Sequence, residues 1–176
     1  MFGNFSFFAQ LCSPKENLSN DMEKKRLKRL PVGIQTFEKI INNDCLYIDK
    51  TEYIWNMIHL SSFVFLSRPR RFGKSLLVST LQTYFEGKKE YFKGLAIEQL
   101  EKDWTAYPVL RFDLSLGKHM DKEQLQRYLL TLIAENERRF NLSSNHIDPN
   151  MRLMELIINV SNKTGKEVVI LIDEYD

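Results

Sequence analysis

Gly73, Lys74 and Ser75 are consecutive, and in that order they can hold a phosphate chain. A glycine lets the backbone approach an anion with no Cβ in the way. The lysine is a point charge that reaches the β- and γ-phosphates, and the serine hydroxyl after it is placed to ligand Mg²⁺. The pattern departs from the full loop at its start, where Arg68 stands five positions before Gly73 in place of a glycine. Pro69 offers no N–H and biases Arg68 towards an extended backbone. The loop is therefore expected to begin differently, with the N–H groups of Phe72, Gly73, Lys74 and Ser75 still available to an anion. Far along the chain, Asp173 and Glu174 follow the apolar run of residues 168–172. A carboxylate at the end of such a strand can hold magnesium, usually with a water, beside the serine hydroxyl. The next carboxylate points differently and can polarise an attacking water as general base. Each segment has a bland alternative: a basic structural turn at 68–75, and a strand meeting solvent at 173–174. Both segments in this order favour a nucleoside triphosphate site, with hydrolysis rather than storage as its chemistry.

Such residues need a strand before the loop, a helix after it and a strand ahead of the carboxylates. Residues 63–66 are a short run of strand formers, and Leu77, Leu81 and Tyr84/Phe85 follow at helical spacing up to Gly87. Upstream, Thr36 is expected to cap a short helix reaching Ile41, residues 45–48 read as a short strand, and Thr51 caps a helix with Ile54, Trp55 and Ile58 on one face. Downstream, residues 108–114 read as a strand. Asp121 with Gln124 makes a capping-box start for a long helix bearing Leu125, Leu129, Leu132, Ile133 and Phe140. Asp148-Pro149 opens another helix that Gly165 closes, and residues 168–172 form the last strand. Alternating strands and helices make an α/β plan with a mostly parallel sheet and helices on its faces.

The chain has 176 residues, which predicts one folded domain. Residues 30–176 are assigned to it. Residues 1–29 are expected to be a disordered N-terminal extension ending in a basic arm, Lys24-Lys25-Arg26-Leu27-Lys28-Arg29. Net charge is +2, too balanced for bulk charge to argue for nucleic acid or a membrane surface. Apolar residues make up 43% and aromatics 12%, enough for a core and incompatible with a wholly disordered chain. No apolar stretch approaches the ~20 residues of a membrane helix, and the N-terminus has no positively charged leader, so the expected location is cytoplasmic. Cys12 and Cys45 form no disulfide framework and lack an activating neighbour. His59, His119 and His146 share no metal-ligand spacing. Trp55 and Trp104 read as core or interface anchors. Asn162-Lys163-Thr164-Gly165 lacks the Asp of a guanine-reading motif and reads as a helix end.

Four segments together resemble a known family: Leu30-Pro31-Val32-Gly33-Ile34-Gln35-Thr36-Phe37, Tyr47-Ile48-Asp49-Lys50-Thr51, Arg68-Pro69-Arg70-Arg71-Phe72-Gly73-Lys74-Ser75 and Leu171-Ile172-Asp173-Glu174-Tyr175-Asp176. They look like the AAA-ATPase-like family of bacterial P-loop proteins, which often carries a C-terminal PD-(D/E)XK-type nuclease domain. The resemblance runs from about Leu30 to Asp176 and implies a three-layer α/β/α P-loop fold. It makes residues 68–75 the Walker A loop and 168–174 the Walker B strand, with ATP and Mg²⁺ as cofactors. Nucleotide contacts fall on Arg70, Arg71, Phe72, Gly73, Lys74, Ser75 and Leu76, the metal on Ser75 and Asp173, and the catalytic base on Glu174. Family members continue past Walker B, and a following strand normally lies between the Walker A and Walker B strands. The fold is therefore expected to be incomplete at the C-terminus, as in a truncated product that binds ATP without turnover. Arg70 and Arg71 are expected to be phosphate-neighbouring or partner-facing charge rather than arginine fingers. The rival readings are a nucleotide- or partner-binding fragment with an incomplete site, and a nucleic-acid module using the basic arm with Arg68, Arg70 and Arg71.

Overall fold

The computed structural model describes residues 27–67, 69, 72–117 and 120–174. The extension over residues 1–26, and with it Cys12, lies outside the described residues, as do Arg68, Arg70, Arg71, His119, Tyr175 and Asp176. Eight elements are named here: α1 (Phe37–Asn42), α2 (Thr51–Leu60), α3 (Lys74–Phe85), α4 (Ala96–Leu100), β1 (Val109–Asp113), α5 (Lys122–Arg139), α6 (Pro149–Thr164) and β2 (Val169–Asp173). Two residues assigned to the basic arm join this fold. Lys28 Nζ lies 3.0 Å from the Asp44 carboxylate, and the Arg29 carbonyl accepts from Leu46 N–H at 2.7 Å.

β1 and β2 form a parallel pair in which Val109 faces Val169 and Asp113 faces Asp173. Leu110 and Phe112 pack on one face with Leu132 and Ile133 of α5 and Leu156 and Val160 of α6. On the other face the Arg111 side chain reaches Gln82 of α3, so helices lie against both faces of the pair. This is a mixed α/β architecture with a two-stranded parallel sheet. A second core gathers around Phe37, Phe92 and Ile97, with Tyr84, Trp55 and Trp104 packed against it.

Local chemistry sets several boundaries as expected. Asp121 and Gln124 form a reciprocal capping box at the start of α5. Asp148 caps α6, whose chain leaves through Gly165 at φ +66°. Elsewhere the expectation fails. Residues 63–66 are not a strand; Phe63 is 93% exposed and Phe65 75%, and among the described residues no ladder includes them. The strand expected over 45–48 is reduced to one bridge between Arg29 and Cys45. Thr36 stands at the start of α1 without a side-chain cap bond, and the N–H of Phe37 beside it donates to Ser79 Oγ on α3, at 2.9 Å. Thr51 lies inside the first turn of α2, and the side chain that accepts its N–H is Asp49, at 2.8 Å. The second Asp49 oxygen accepts from Ala96 N–H at 2.7 Å, tying the starts of α2 and α4 together.

The buried side of α3 carries hydroxyls among its apolar side chains. Ser79, Thr80 and Thr83 are buried, and each hydroxyl is satisfied: Ser79 by Phe37, Thr80 by the Leu76 carbonyl and Thr83 by the Ser79 carbonyl. Leu77, Val78 and Leu81 instead line an open cavity. That follows from the fate of residues 63–66, since among the described residues no strand covers this side of α3.

Candidate functional site

The loop-to-helix turn forms as its sequence demands. Gly73 precedes α3 with φ +78° and ψ +23°, a left-handed conformation that glycine takes without strain. Its carbonyl accepts the first helical bond, from Leu77 N–H at 2.9 Å. The first N–H groups of an α-helix are not used by bonds within the helix, and here the residue before them is a glycine, whose lack of a side chain leaves room for a ligand. They and the positive end of the helix dipole therefore make the α3 start suited to an anion.

One cavity of about 650 Å³ brings this turn to the end of β2. Lys74 lines it from α3; Asp173 and Glu174 line it from β2, and Phe63, Val64 and Leu66 form part of its wall. Lys74 and Ser75 are half-buried and Asp173 is buried, 3% exposed. Glu174 takes φ +56°, left-handed backbone that a glutamate adopts only at a cost of order 1 kcal/mol.

Not every expected contact falls on the cavity. Phe72, Gly73, Ser75 and Leu76 do not line it. The Leu76 side chain packs against the Phe37–Phe92–Ile97 core, so only its backbone belongs to the first turn of α3. Phe72 is exposed. Arg70 and Arg71 lie outside the described residues. Of the residues set aside, Cys45 is buried and His146 sits 3.7 Å from Glu155, whereas His59, stacked on Trp55, lines the same cavity as Lys74 and Asp173.

The sequence reading passed over Arg111, whose guanidinium lies 3.8 Å from Asp173 Oδ2. Its signal was a lone charge inside an otherwise apolar strand, Val109-Leu110-Arg111-Phe112. Asp173, which lines the cavity, and Ser75, next to Lys74 but outside its lining, offer only oxygen donors, a chemistry that suits a hard cation such as Mg²⁺. Among the described residues no three His, Cys, Asp or Glu side chains gather into an all-protein metal cage. One or two protein oxygens are what Mg²⁺ takes when phosphate and water supply the rest, so the residues present fit the metal. No helix among the described residues is long and apolar enough to cross a membrane.

Comparison with known proteins shows the family. An uncharacterised protein in the vnfD 5′ region of Azotobacter chroococcum mcd 1 is 39% identical over 151 residues. The match covers 85% of this chain and 29% of that protein, so the chain spans less than a third of its relative's length. No solved structure matches. Residues 31–176 match the family model described as a predicted AAA-ATPase, a span that takes in both the α3 turn and the end of β2, and the chain belongs to that AAA-ATPase-like family.

Proposed function

We propose that this chain is the ATP-binding P-loop part of an ATP-hydrolysing protein, with Walker A at residues 68–75 and Walker B at 168–174. The supporting observation is the convergence of Lys74 with Asp173 and Glu174 on one cavity, from segments far apart in the chain. The helices on both faces of the parallel pair support a three-layer α/β/α reading of the fold.

In this reading the α3 turn binds the phosphate chain through backbone N–H groups, and Lys74 places its charge against the β- and γ-phosphates. Ser75 and Asp173 hold Mg²⁺, which when bound offsets phosphate charge. Glu174 accepts a proton from the attacking water, and its left-handed backbone sets its carboxylate apart from that of Asp173. Arg70 and Arg71 add positive charge beside the phosphates. A nucleotide-binding role without turnover is favoured by one observation, the absence of a second partner for β2 among the described residues, beside Glu174.

Thermal melts with and without Mg-ATP test the reading. A ligand at 100 times its Kd adds about 2.7 kcal/mol, so the parent is expected to show a clear upward shift and Lys74→Ala none. Glu174→Gln is expected to keep the shift and lose phosphate release. A parent that ATP does not stabilise would remove the ATP-binding assignment; stabilisation without phosphate release would establish the binding-only reading.

A further inference from the structure

Asp173 is held by a residue to which the family resemblance gives no role. Arg111 sits opposite Leu171 in the ladder, so its side chain leaves on the same sheet face as Asp173, one pair further on. Its guanidinium Nη2 is 3.8 Å from Asp173 Oδ2, and its Nη1 donates to Gln82 Oε1 at 3.3 Å. Asp173's side chain is only 4% exposed, so this ion pair is shielded from water on the carboxylate side.

Arg111 is fixed at both ends. Its N–H donates to Asn136 Oδ1 at 3.2 Å, and its carbonyl accepts from Asn136 Nδ2 at 3.0 Å. Gln82, which receives the guanidinium, is itself anchored: its Nε2 donates to Glu86 Oε1 at 2.8 Å. Glu86 is in turn paired with Lys88 at 2.8 Å and Arg139 at 3.3 Å. An arginine tethered through backbone and side chain presents its charge in one place, which a loosely swinging surface arginine does not.

We propose that Arg111 is a positioning residue for Asp173. Its guanidinium, braced by Gln82, fixes the rotamer in which the carboxylate edges the cavity, and so prepares Asp173 to take the divalent cation that accompanies a nucleotide. The inference rests on the reading of Asp173 as the cation-side carboxylate and goes beyond it, because it assigns a residue on β1 to the support of that carboxylate. Groups that orient a metal ligand are worth roughly 10- to 100-fold in metal affinity.

Two measurements on the full chain test it. The first is a double-mutant cycle in urea, without nucleotide, over Arg111→Met, Asp173→Asn and both together; non-zero coupling is expected, and zero coupling overturns the contact. The second is the affinity for a non-hydrolysable fluorescent ATP analogue in MgCl₂ and in EDTA. Arg111→Met is expected to lose about tenfold in MgCl₂ and nothing in EDTA, with Arg111→Lys recovering most of the loss because it restores a cation. An equal loss in both buffers, or no loss, makes Arg111 merely structural and overturns the positioning role. Should Arg111→Met not fold, Gln82→Met frees the guanidinium without touching β1. About a threefold loss confined to MgCl₂ is then expected, and the lack of a selective loss overturns the proposal. A parent that binds no analogue in either buffer sinks the proposed function and the cation role with it, and the urea cycle still reports separately whether Arg111 and Asp173 touch.

Discussion

At the scale of single residues, two glycines separate backbone strain from crowding. Gly73 and Gly87 both have left-handed φ, +78° and +71°. A Cβ at Gly73 would meet nothing within 4 Å, whereas one at Gly87 would meet Ala106 Cβ at 2.9 Å and the Trp104 carbonyl at 3.1 Å. Gly73→Ala therefore carries only the conformational penalty, about 1 kcal/mol. Gly87→Ala adds overpacking against a neighbouring backbone and is expected to lose about 2–3 kcal/mol in all. Urea denaturation of the two variants checks the order; equal losses would mean that crowding at Gly87 relaxes freely. In the proposed function Gly73→Ala is also expected to weaken nucleotide binding, because there the left-handed turn starts the helix whose N–H groups would meet the phosphates. Lys74, Asp173 and Glu174 were legible as candidates because their types and order are distinctive, and the cavity they share is what the fold adds. Arg111 was not, since its role depends on a partner strand that only the ladder identifies.

At the scale of elements, helices are joined by charge as well as by apolar packing. Glu137 of α5 accepts two bonds from Arg152 of α6, at 2.9 and 2.7 Å, with side chains only 4% and 19% exposed. Truncating one partner strands the other in a desolvated site, so Arg152→Met is expected to lose about 3 kcal/mol, read by urea denaturation. The double variant Arg152→Met with Glu137→Leu is expected to recover much of it, because an apolar pair needs no desolvated charge. Glu86, after α3, links α1 and α5 through Lys88 and Arg139, and Lys88 also pairs with Glu38. Burial alone would raise the Glu86 pKa, but bonds from Lys88 and Gln82 and the charges of Lys88 and Arg139 hold it below its ordinary 4.5. A lowered folded-state value stabilises above the unfolded value and is lost as pH falls through the folded one. Stability is therefore expected to drop below about pH 4.5, and Glu86→Gln to flatten that limb by roughly 1 kcal/mol or less. An acid limb unchanged in Glu86→Gln would assign it to other carboxylates. Helix ends were readable where a local side chain sets them, as at Asp121 and Asp148. Strands at 45–48 and 63–66 were over-read because β structure needs a partner, and apolar runs do not reveal whether one is present.

At the scale of the whole molecule, the two edges of the sheet are treated oppositely. Along β1 the outward backbone groups are taken up by α5: Arg139 Nη1 donates to the Val109 carbonyl at 3.4 Å, Asn136 brackets Arg111, and the Tyr128 hydroxyl donates to the Asp113 carbonyl at 2.5 Å. One helix thus seals an entire edge against further pairing. In β2, Val169 and Asp173 direct their hydrogen bonds to β1, so the alternation of a parallel ladder turns those of Ile170 and Ile172 outward. Among the described residues no strand pairs with that edge. The Ile170 and Ile172 side chains are also 41% and 49% exposed and line the cavity that Lys74 and Asp173 share. An open edge carrying apolar side chains is a template for pairing with other chains. The chain is therefore expected to self-associate with rising concentration, a tendency that light scattering across a micromolar series would detect. Ile170→Lys places on the edge the residue that natural sheets use to block such pairing, and is expected to suppress association while changing stability by about 1 kcal/mol at most. Lys at Met154, another exposed apolar side chain but on α6, is the control expected to leave association unchanged. Suppression by the edge variant alone would locate the sticky surface on β2 beside Asp173; equal suppression by both would make it a matter of surface charge, and the edge would lose its special standing.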